Sequence, residues 1–322
     1  MRNALVFALA IISIILLGAA NVRASVEDGA PAATPPVLTS VEAQRLSALQ
    51  IRLCGVQELD CEYVKSIFGD PRLAIYQPPP PAPEQPSTRP SRERERNPYF
   101  TKRFGLLSPE SLERCRLFVG AHAAALATAY DMYGVSKEVI CAHLRIETNF
   151  GIPTKLSPNP LGKRSAVNQL VSLYVRSPSL RIPEARFVRR QDFAFGELSK
   201  LIAIGKSLDW DLLNVPGSPT GAIGLSQFEP SSFRVAVDGN GDGKIDLFDP
   251  DDAIVSIAHY LVTRGWNGNP EHQKRAIYAY YGGHYDQDPR KYYMKAVLKY
   301  ASEVGAYLKE HPVESDRAPA SL

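Results

Sequence analysis

Three stretches of this 322-residue chain gather side chains that could do chemistry. The first is Arg145-Ile146-Glu147-Thr148-Asn149-Phe150-Gly151. Glu147 closes a helical run in which Val139, Ile140, His143 and Leu144 fall on the same flank, so its carboxyl faces apolar neighbours rather than water. Desolvation disfavours the charged form, so a carboxyl there keeps its proton toward neutral pH. Such a group can protonate the leaving oxygen of a glycosidic bond. Taken alone, a Glu in a helix is usually a solvated surface residue, because Glu is a good helix former. Glu147 therefore gains its meaning from its company.

The second stretch is Gly217-Ser218-Pro219-Thr220-Gly221-Ala222-Ile223-Gly224-Leu225-Ser226-Gln227-Phe228-Glu229-Pro230. Its glycines let backbone approach a ligand, Ser218 and Gln227 offer hydrogen bonds suited to hydroxyl and acetamido groups, and Phe228 offers a flat apolar face. The bland alternative is a Gly-rich connection ahead of a helix. The third stretch runs Asp238-Gly239-Asn240-Gly241-Asp242-Gly243-Lys244-Ile245-Asp246-Leu247-Phe248-Asp249. Oxygen side chains fall at loop positions 1, 3 and 5, glycine at 6, the Lys244 carbonyl at 7 and an apolar residue at 8, which is calcium-loop spacing. Asp249 stands where a longer Glu is expected at position 12, and Asp252 could instead close an enlarged loop.

The elements that must position these residues are helical. Ser108-Pro109 is a cap and first-turn proline, and apolar residues recur at helical spacing from Leu112 to Tyr133, predicting one helix that Gly134 stops. Ser136 caps the helix that carries Glu147. Further helices are predicted over Gln191–Ile204, Asp251–Arg264, Lys274–Tyr280 and Arg290–Leu308, with one or two short ones within Ser40–Phe68. No alternating pattern longer than a few residues predicts a strand, so the expected architecture is mainly α with long functional loops.

Composition and termini bound the setting. The apolar run Leu5 to Leu17 after Arg2, followed by small residues to Ala24, reads as a signal peptide over 1–24, too short for a membrane span. Residues 25–76 form a short N-terminal helical segment and 77–98 a Pro-rich linker. A catalytic domain over 99–310 and a flexible tail over 311–322 complete the division. Without Arg2 and Arg23, the 37 basic residues become 35 against 34 acidic, so no nucleic-acid partner is expected. Four cysteines in an exported chain permit two disulfides, and proximity pairs Cys54 with Cys61 and Cys115 with Cys141 among three possible connectivities.

Taken in order, the motifs resemble the membrane-bound lytic murein transglycosylase B family, glycoside hydrolase family 103, with an SLT_2-type domain. The residues that carry the resemblance are Tyr133-Gly134-Val135, Glu147 to Gly151, Arg189-Arg190, Glu197-Leu198, Gly217 to Ser232, Asp238 to Asp252 and Gly265-Trp266. The resemblance implies a lysozyme-like domain with an extra helical part between Gly151 and Gly217 and an EF-hand-like calcium loop. It implies a lytic transglycosylase that cleaves the β-1,4 bond between N-acetylmuramic acid and N-acetylglucosamine. Glu147 would be its single acid and base, leaving 1,6-anhydromuramic acid ends. Ser218, Gln227, Phe228, Arg189, Arg190, Tyr280 and Tyr285 would contact substrate, and Asp238, Asn240, Asp242, Lys244 and Asp252 would hold a structural calcium. No organic cofactor is expected. Tyr281 departs from the family, which has Asn there, and His284 or Tyr285 would have to supply the missing hydrogen bond. The absence of a lipobox predicts a soluble or wall-associated periplasmic form with no stable membrane insertion; peptidoglycan strands are the expected partner and a monomer the expected state. A hydrolytic muramidase on the same scaffold and a non-catalytic peptidoglycan-binding protein are the alternative readings.

Overall fold

The computed structural model describes residues 38–76, 97–176, 184–282, 285–288 and 290–313. The expected signal peptide, almost all of the Pro-rich linker, the end of the tail and His284 lie outside the described residues.

Among the described residues ten α-helices carry the fold: α1 Ser40–Cys54, α2 Cys61–Gly69, α3 Pro109–Ala121, α4 Ala123–Tyr133, α5 Lys137–Glu147, α6 Ala166–Val175, α7 Glu184–Ser207, α8 Pro250–Thr263, α9 Pro270–Tyr280 and α10 Tyr292–Glu310. The only sheet among the described residues is a two-residue antiparallel ladder, β1 Arg164–Ser165 against β2 Pro216–Gly217. The mainly α expectation holds. The helix predicted over residues 109–133 is in fact two. His122 leaves helical geometry at φ −118°, ψ 31°, and its Nδ1 lies 2.7 Å from Asp251 Oδ1 on α8. A tertiary contact thus wins over local helix propensity.

Apolar burial falls into two clusters. Helices α3, α4, α5, α8, α9 and α10 build the first, around Ile140, Leu144, Ile254, Ile257, Val297 and Tyr300. Helices α1, α2, α6 and α7 build the second, around Leu49, Leu53, Leu170, Leu198, Leu201 and Ile223. The N-terminal segment is part of that second core. Residues beyond α2 run along α6, where Ala74 N donates to Asn168 Oδ1 at 3.1 Å and Tyr76 N to Ser172 Oγ at 2.9 Å.

The disulfide Cys54–Cys61 clips α1 to α2 as expected. Cys115 and Cys141 correct the second expected pairing, since both are free thiols. They meet across the α3–α5 contact, where burial pushes the Cys141 thiol well above its ordinary range. The thiolate that disulfide exchange requires is disfavoured there.

Candidate active site

Helix α5 delivers Glu147 to the seam between the helical core and the Gly-rich loop. Three consecutive residues after the helix, Asn149, Phe150 and Gly151, adopt positive φ values of 53°, 60° and 74°. Left-handed geometry at Asn149 and Phe150 is strained, and such strain persists only where surroundings hold it. Thr148 Oγ1 donates to the Leu225 carbonyl at 3.0 Å. Gly151 lies so close to the loop that a Cβ there would sit 2.7 Å from Leu225 Cδ2. The N-terminal side of this pin is Arg145, buried at 6% exposure, whose guanidinium donates to Ser111 Oγ and to the carbonyls of Phe104 and Gly105.

Phenols surround the carboxyl. Tyr293 of α10 donates its hydroxyl to Glu147 Oε1 at 2.5 Å and is backed by His143. The Tyr280 ring lies parallel to Tyr293 at 6.4 Å, and Tyr281 stacks on Tyr293 at 5.3 Å with 58% of its own surface exposed. Tyr99 meets Tyr293 edge-on at 6.1 Å. Burial raises the Glu147 pKa to about 7, against the opposing pull of the Tyr293 hydrogen bond. The same burial, with Glu147 nearby, lifts Tyr280 and Tyr293 well above the usual phenol range and Tyr99 to about 12. These phenols stay protonated, so they can donate to a carboxylate but cannot neutralise one. The arrangement is an acid poised near neutrality with one oxygen held and the other uncommitted.

The Gly-rich loop is folded on itself. Ile223 and Phe228 exchange backbone hydrogen bonds at 2.9 and 3.1 Å, and Leu225 N donates to Leu247 O at 2.8 Å. Gly224, at φ 74°, abuts that strap so closely that a Cβ would meet the Leu247 carbonyl oxygen at 2.4 Å. Ser218 Oγ accepts from Ala222 N and Thr220 N, so it builds the turn as well as offering a hydroxyl. Gln227 has φ 50° and donates its amide to Gly224 O at 2.9 Å, which leaves its Oε1 uncommitted. Phe228 is 2% exposed and packs on Tyr260 and Tyr280 at 5.3 and 5.9 Å. It supports Tyr280 from below; the flat face expected for sugar is turned into the core. Tyr280 itself donates to Ser226 O at 2.6 Å, which ties α9 to the loop.

The remaining predicted residues lie farther from this cluster in their contacts. Arg189 and Arg190 stand on the first turns of α7, Arg189 exposed and Arg190 half-buried. Tyr285 donates to Glu271 Oε1 at 2.8 Å, so its hydroxyl is committed at the rim of α9. An acidic pair lies elsewhere: Glu197 of α7 accepts from Ser231 N at 2.8 Å, and burial together with Glu197 raises the Glu229 pKa.

The acidic loop is preorganised by its own backbone. Asp238 accepts from Gly241 N and Gly243 N, Asn240 Oδ1 from Asp242 N, and Asp242 Oδ1 from Lys244 N. Asp252 is 1% exposed and accepts from Gly239 N, Asn240 N and Asp246 N. Asp249 caps α8 through Asp251 N and Asp252 N. Among the described residues no three or more His, Cys, Asp or Glu side chains converge as a metal cluster. The donor set of Asp238, Asn240, Asp242 and the Lys244 carbonyl is all oxygen, which is the chemistry calcium takes.

Sequence reasoning missed Tyr293 and Tyr99. Both reach Glu147 from other helices or turns, and neither stands in a motif; the surplus of tyrosine near the C-terminus was the only available signal.

The family described as "Transglycosylase SLT domain" matches residues 57–316. Membrane-bound lytic murein transglycosylase B of Escherichia coli (strain K12) is 33% identical over 168 residues, covering 52% of this chain and 41% of that protein. The chain thus spans about two fifths of the length of this curated relative. Among solved structures, soluble lytic transglycosylase SltB1 from Pseudomonas aeruginosa aligns with a TM-score of 0.63 at 22% identity, covering 82% of this chain and 99% of that one. The Escherichia coli lytic transglycosylase Slt35 in complex with calcium aligns at 0.61 and 20%, covering 82% and 93%. SltB3 from Pseudomonas aeruginosa in complex with NAG-anhNAM-pentapeptide aligns at 0.62 and 20%, covering 83% and 80%. At these identities the structural likeness establishes a shared fold.

Proposed function

The chain belongs to the transglycosylase SLT domain family, and from that premise we propose that it is a lytic transglycosylase of peptidoglycan with Glu147 as its single acid and base. The observation that carries the reading is the Glu147 carboxyl itself: desolvated, raised to about 7 and held at Oε1 by Tyr293, on a helix end that the next residue, Thr148, pins to the Gly-rich loop.

Protonated Glu147 gives its proton to the oxygen linking N-acetylmuramic acid C1 to N-acetylglucosamine, and the C1–O bond breaks. The carboxylate then takes the proton of the muramic acid's own 6-hydroxyl as that oxygen bonds to C1. A 1,6-anhydro ring forms, no water enters, and Glu147 is returned to its acid form. One carboxyl therefore suffices where a hydrolytic pair would flank the bond. Tyr293 favours the ionised intermediate state, and the buried phenols keep water from competing. In this reading Gln227, through its free Oε1, Ser218, Tyr280 and Tyr281 contact the substrate, as do Arg189, Arg190 and Tyr285 farther along it.

Asp238, Asn240, Asp242, the Lys244 carbonyl and Asp252 would hold calcium, whose contribution is to tie the loop to the start of α8. In this reading residues 1–24 export the protein to the periplasm, 77–98 form a linker, 99–310 are the catalytic domain, and α6 and α7 form the helical part inserted between Gly151 and Gly217. Among the described residues no helix is long and apolar enough to cross a membrane. Digestion of purified peptidoglycan by the wild type and by Glu147→Gln, read by mass spectrometry of the released muropeptides, tests the reading. Release of anhydro-ended fragments by the wild type alone is expected, and equal release by both proteins refutes it.

A further inference from the structure

Behind Tyr293 lies a buried polar group that the proposed chemistry leaves unused. His143 sits one turn before Glu147 on α5 and is fully buried. Its Nδ1 is 2.8 Å from the Tyr293 hydroxyl, which in turn reaches Glu147 Oε1 at 2.5 Å. The imidazole packs against the Tyr280 ring at 4.4 Å, and its Nε2 has no hydrogen-bond partner.

The proton count fixes the direction of this chain. A phenol has one proton, and an ionised carboxylate can only accept. While Glu147 is charged, Tyr293 therefore donates to it and must receive from His143 Nδ1–H. Nε2 is left as an orphaned acceptor, which interiors tolerate better than an orphaned N–H. Burial holds the imidazole neutral, with its pKa lowered to about 3. A buried ring with one unpaired nitrogen is a poor choice for packing, since a leucine of similar size would carry no desolvation cost.

We infer that His143 is a positioning residue that locks the Tyr293 hydroxyl toward Glu147 Oε1 and strengthens it as a donor, so that Oε2 alone faces the substrate. Hydrogen bonds in such a chain polarise one another, and a phenol that accepts from an imidazole N–H donates more strongly. The titratable groups facing this pair are the phenols of Tyr99, Tyr280, Tyr281 and Tyr293, from the Pro98–Phe100 turn, the end of α9 and α10. Arg145, on α5 itself, is turned to Ser111 and the carbonyls of Phe104 and Gly105. The consequence for turnover rests on the reading of Glu147 as the acid; the coupling does not.

The test is a carbon-13 NMR titration of the Glu147 carboxyl, assigned by its loss in Glu147→Gln, in the full chain. His143→Leu should raise the midpoint by about half a pH unit or more, because the ionised form loses its polarised donor. His143→Asn, whose amide N–H takes the place of Nδ1–H, should return it to the wild-type value. In a Tyr293→Phe background, His143→Leu should add no further shift. The thermal midpoint of His143→Leu should equal or exceed that of the wild type. Identical midpoints in wild type and His143→Leu, or the same shift persisting without the Tyr293 hydroxyl, would overturn the inference. Should His143→Leu fail to fold, His143→Gln, whose amide lies at the Nε2 position, replaces it with the same two outcomes. Peptidoglycan turnover read in parallel separates the two ideas: no activity in the wild type refutes the enzymatic reading, while the titration alone decides the coupling.

Discussion

Tyr293 and Glu147 stand 146 residues apart in sequence and 2.5 Å apart in space. This one contact joins α10 to the end of α5, and it sets two opposing forces on one carboxyl. Burial favours the protonated form, and the phenol favours the ionised form. The proposed cycle, in which Glu147 gives a proton and takes one back, needs both.

Stability should record the burial. Glu147 moves from an ordinary 4.5 to about 7 in the fold, so between those values the native state holds the proton that the unfolded chain has released. Its favourable contribution is complete below pH 4.5 and is lost as pH rises through about 7. Glu147→Gln should therefore be more stable than the wild type above pH 7, by on the order of 2 kcal/mol after allowance for partial exposure, and equal to it near pH 4. Denaturant unfolding at the two pH values measures the difference.

Activity should follow the same carboxyl. In the proposed cycle catalysis begins from the acid form, so kcat/KM should fall as pH rises through about 7. Tyr293→Phe removes a donor to the charged form and should move that alkaline limb upward by about one pH unit. A limb that stays in place in this variant would show that the hydroxyl does not tune Glu147.

The acidic loop gives a prediction independent of catalysis. Asp242→Ala removes one oxygen of the proposed calcium set and the acceptor for Lys244 N. Adding calcium should raise the thermal midpoint of the wild type and leave that of Asp242→Ala unchanged, as differential scanning fluorimetry would show. No calcium-dependent shift in the wild type would refute the assignment.

The bridge Cys54–Cys61, spanning a sequence separation of 7, clips α1 to α2 within the second core. Replacing both cysteines by alanine should cost about 2 kcal/mol by loop-closure entropy. Denaturant unfolding under non-reducing conditions reads the loss.

What could be read beforehand was what local spacing encodes. The cap at Ser108-Pro109, the apolar flank carrying Glu147 and the oxygen spacing from Asp238 to Lys244 are all properties of neighbours in sequence. Helix α6 escaped prediction because it is apolar nearly all round: eight of its ten residues are buried, so it shows no amphipathic stripe. The start of α7 was missed for the opposite reason, since Glu184 to Arg190 is dominated by charge. The break at His122 and the burial of Phe228 come from partners on α8 and α9, which no local pattern reports. Tyr293 is the clearest case. A tyrosine on a C-terminal helix has no mark of function until the fold sets it beside Glu147.

If Glu147 drives cleavage without water, as proposed, the oxygen at C1 of the released muramic acid end cannot come from solvent. Peptidoglycan digested in heavy-oxygen water should yield 1,6-anhydro ends that carry no solvent oxygen in the mass spectrum, and none of these ends with Glu147→Gln. Reducing muramic acid ends labelled with solvent oxygen would refute the anhydro mechanism and mark the protein as a hydrolase.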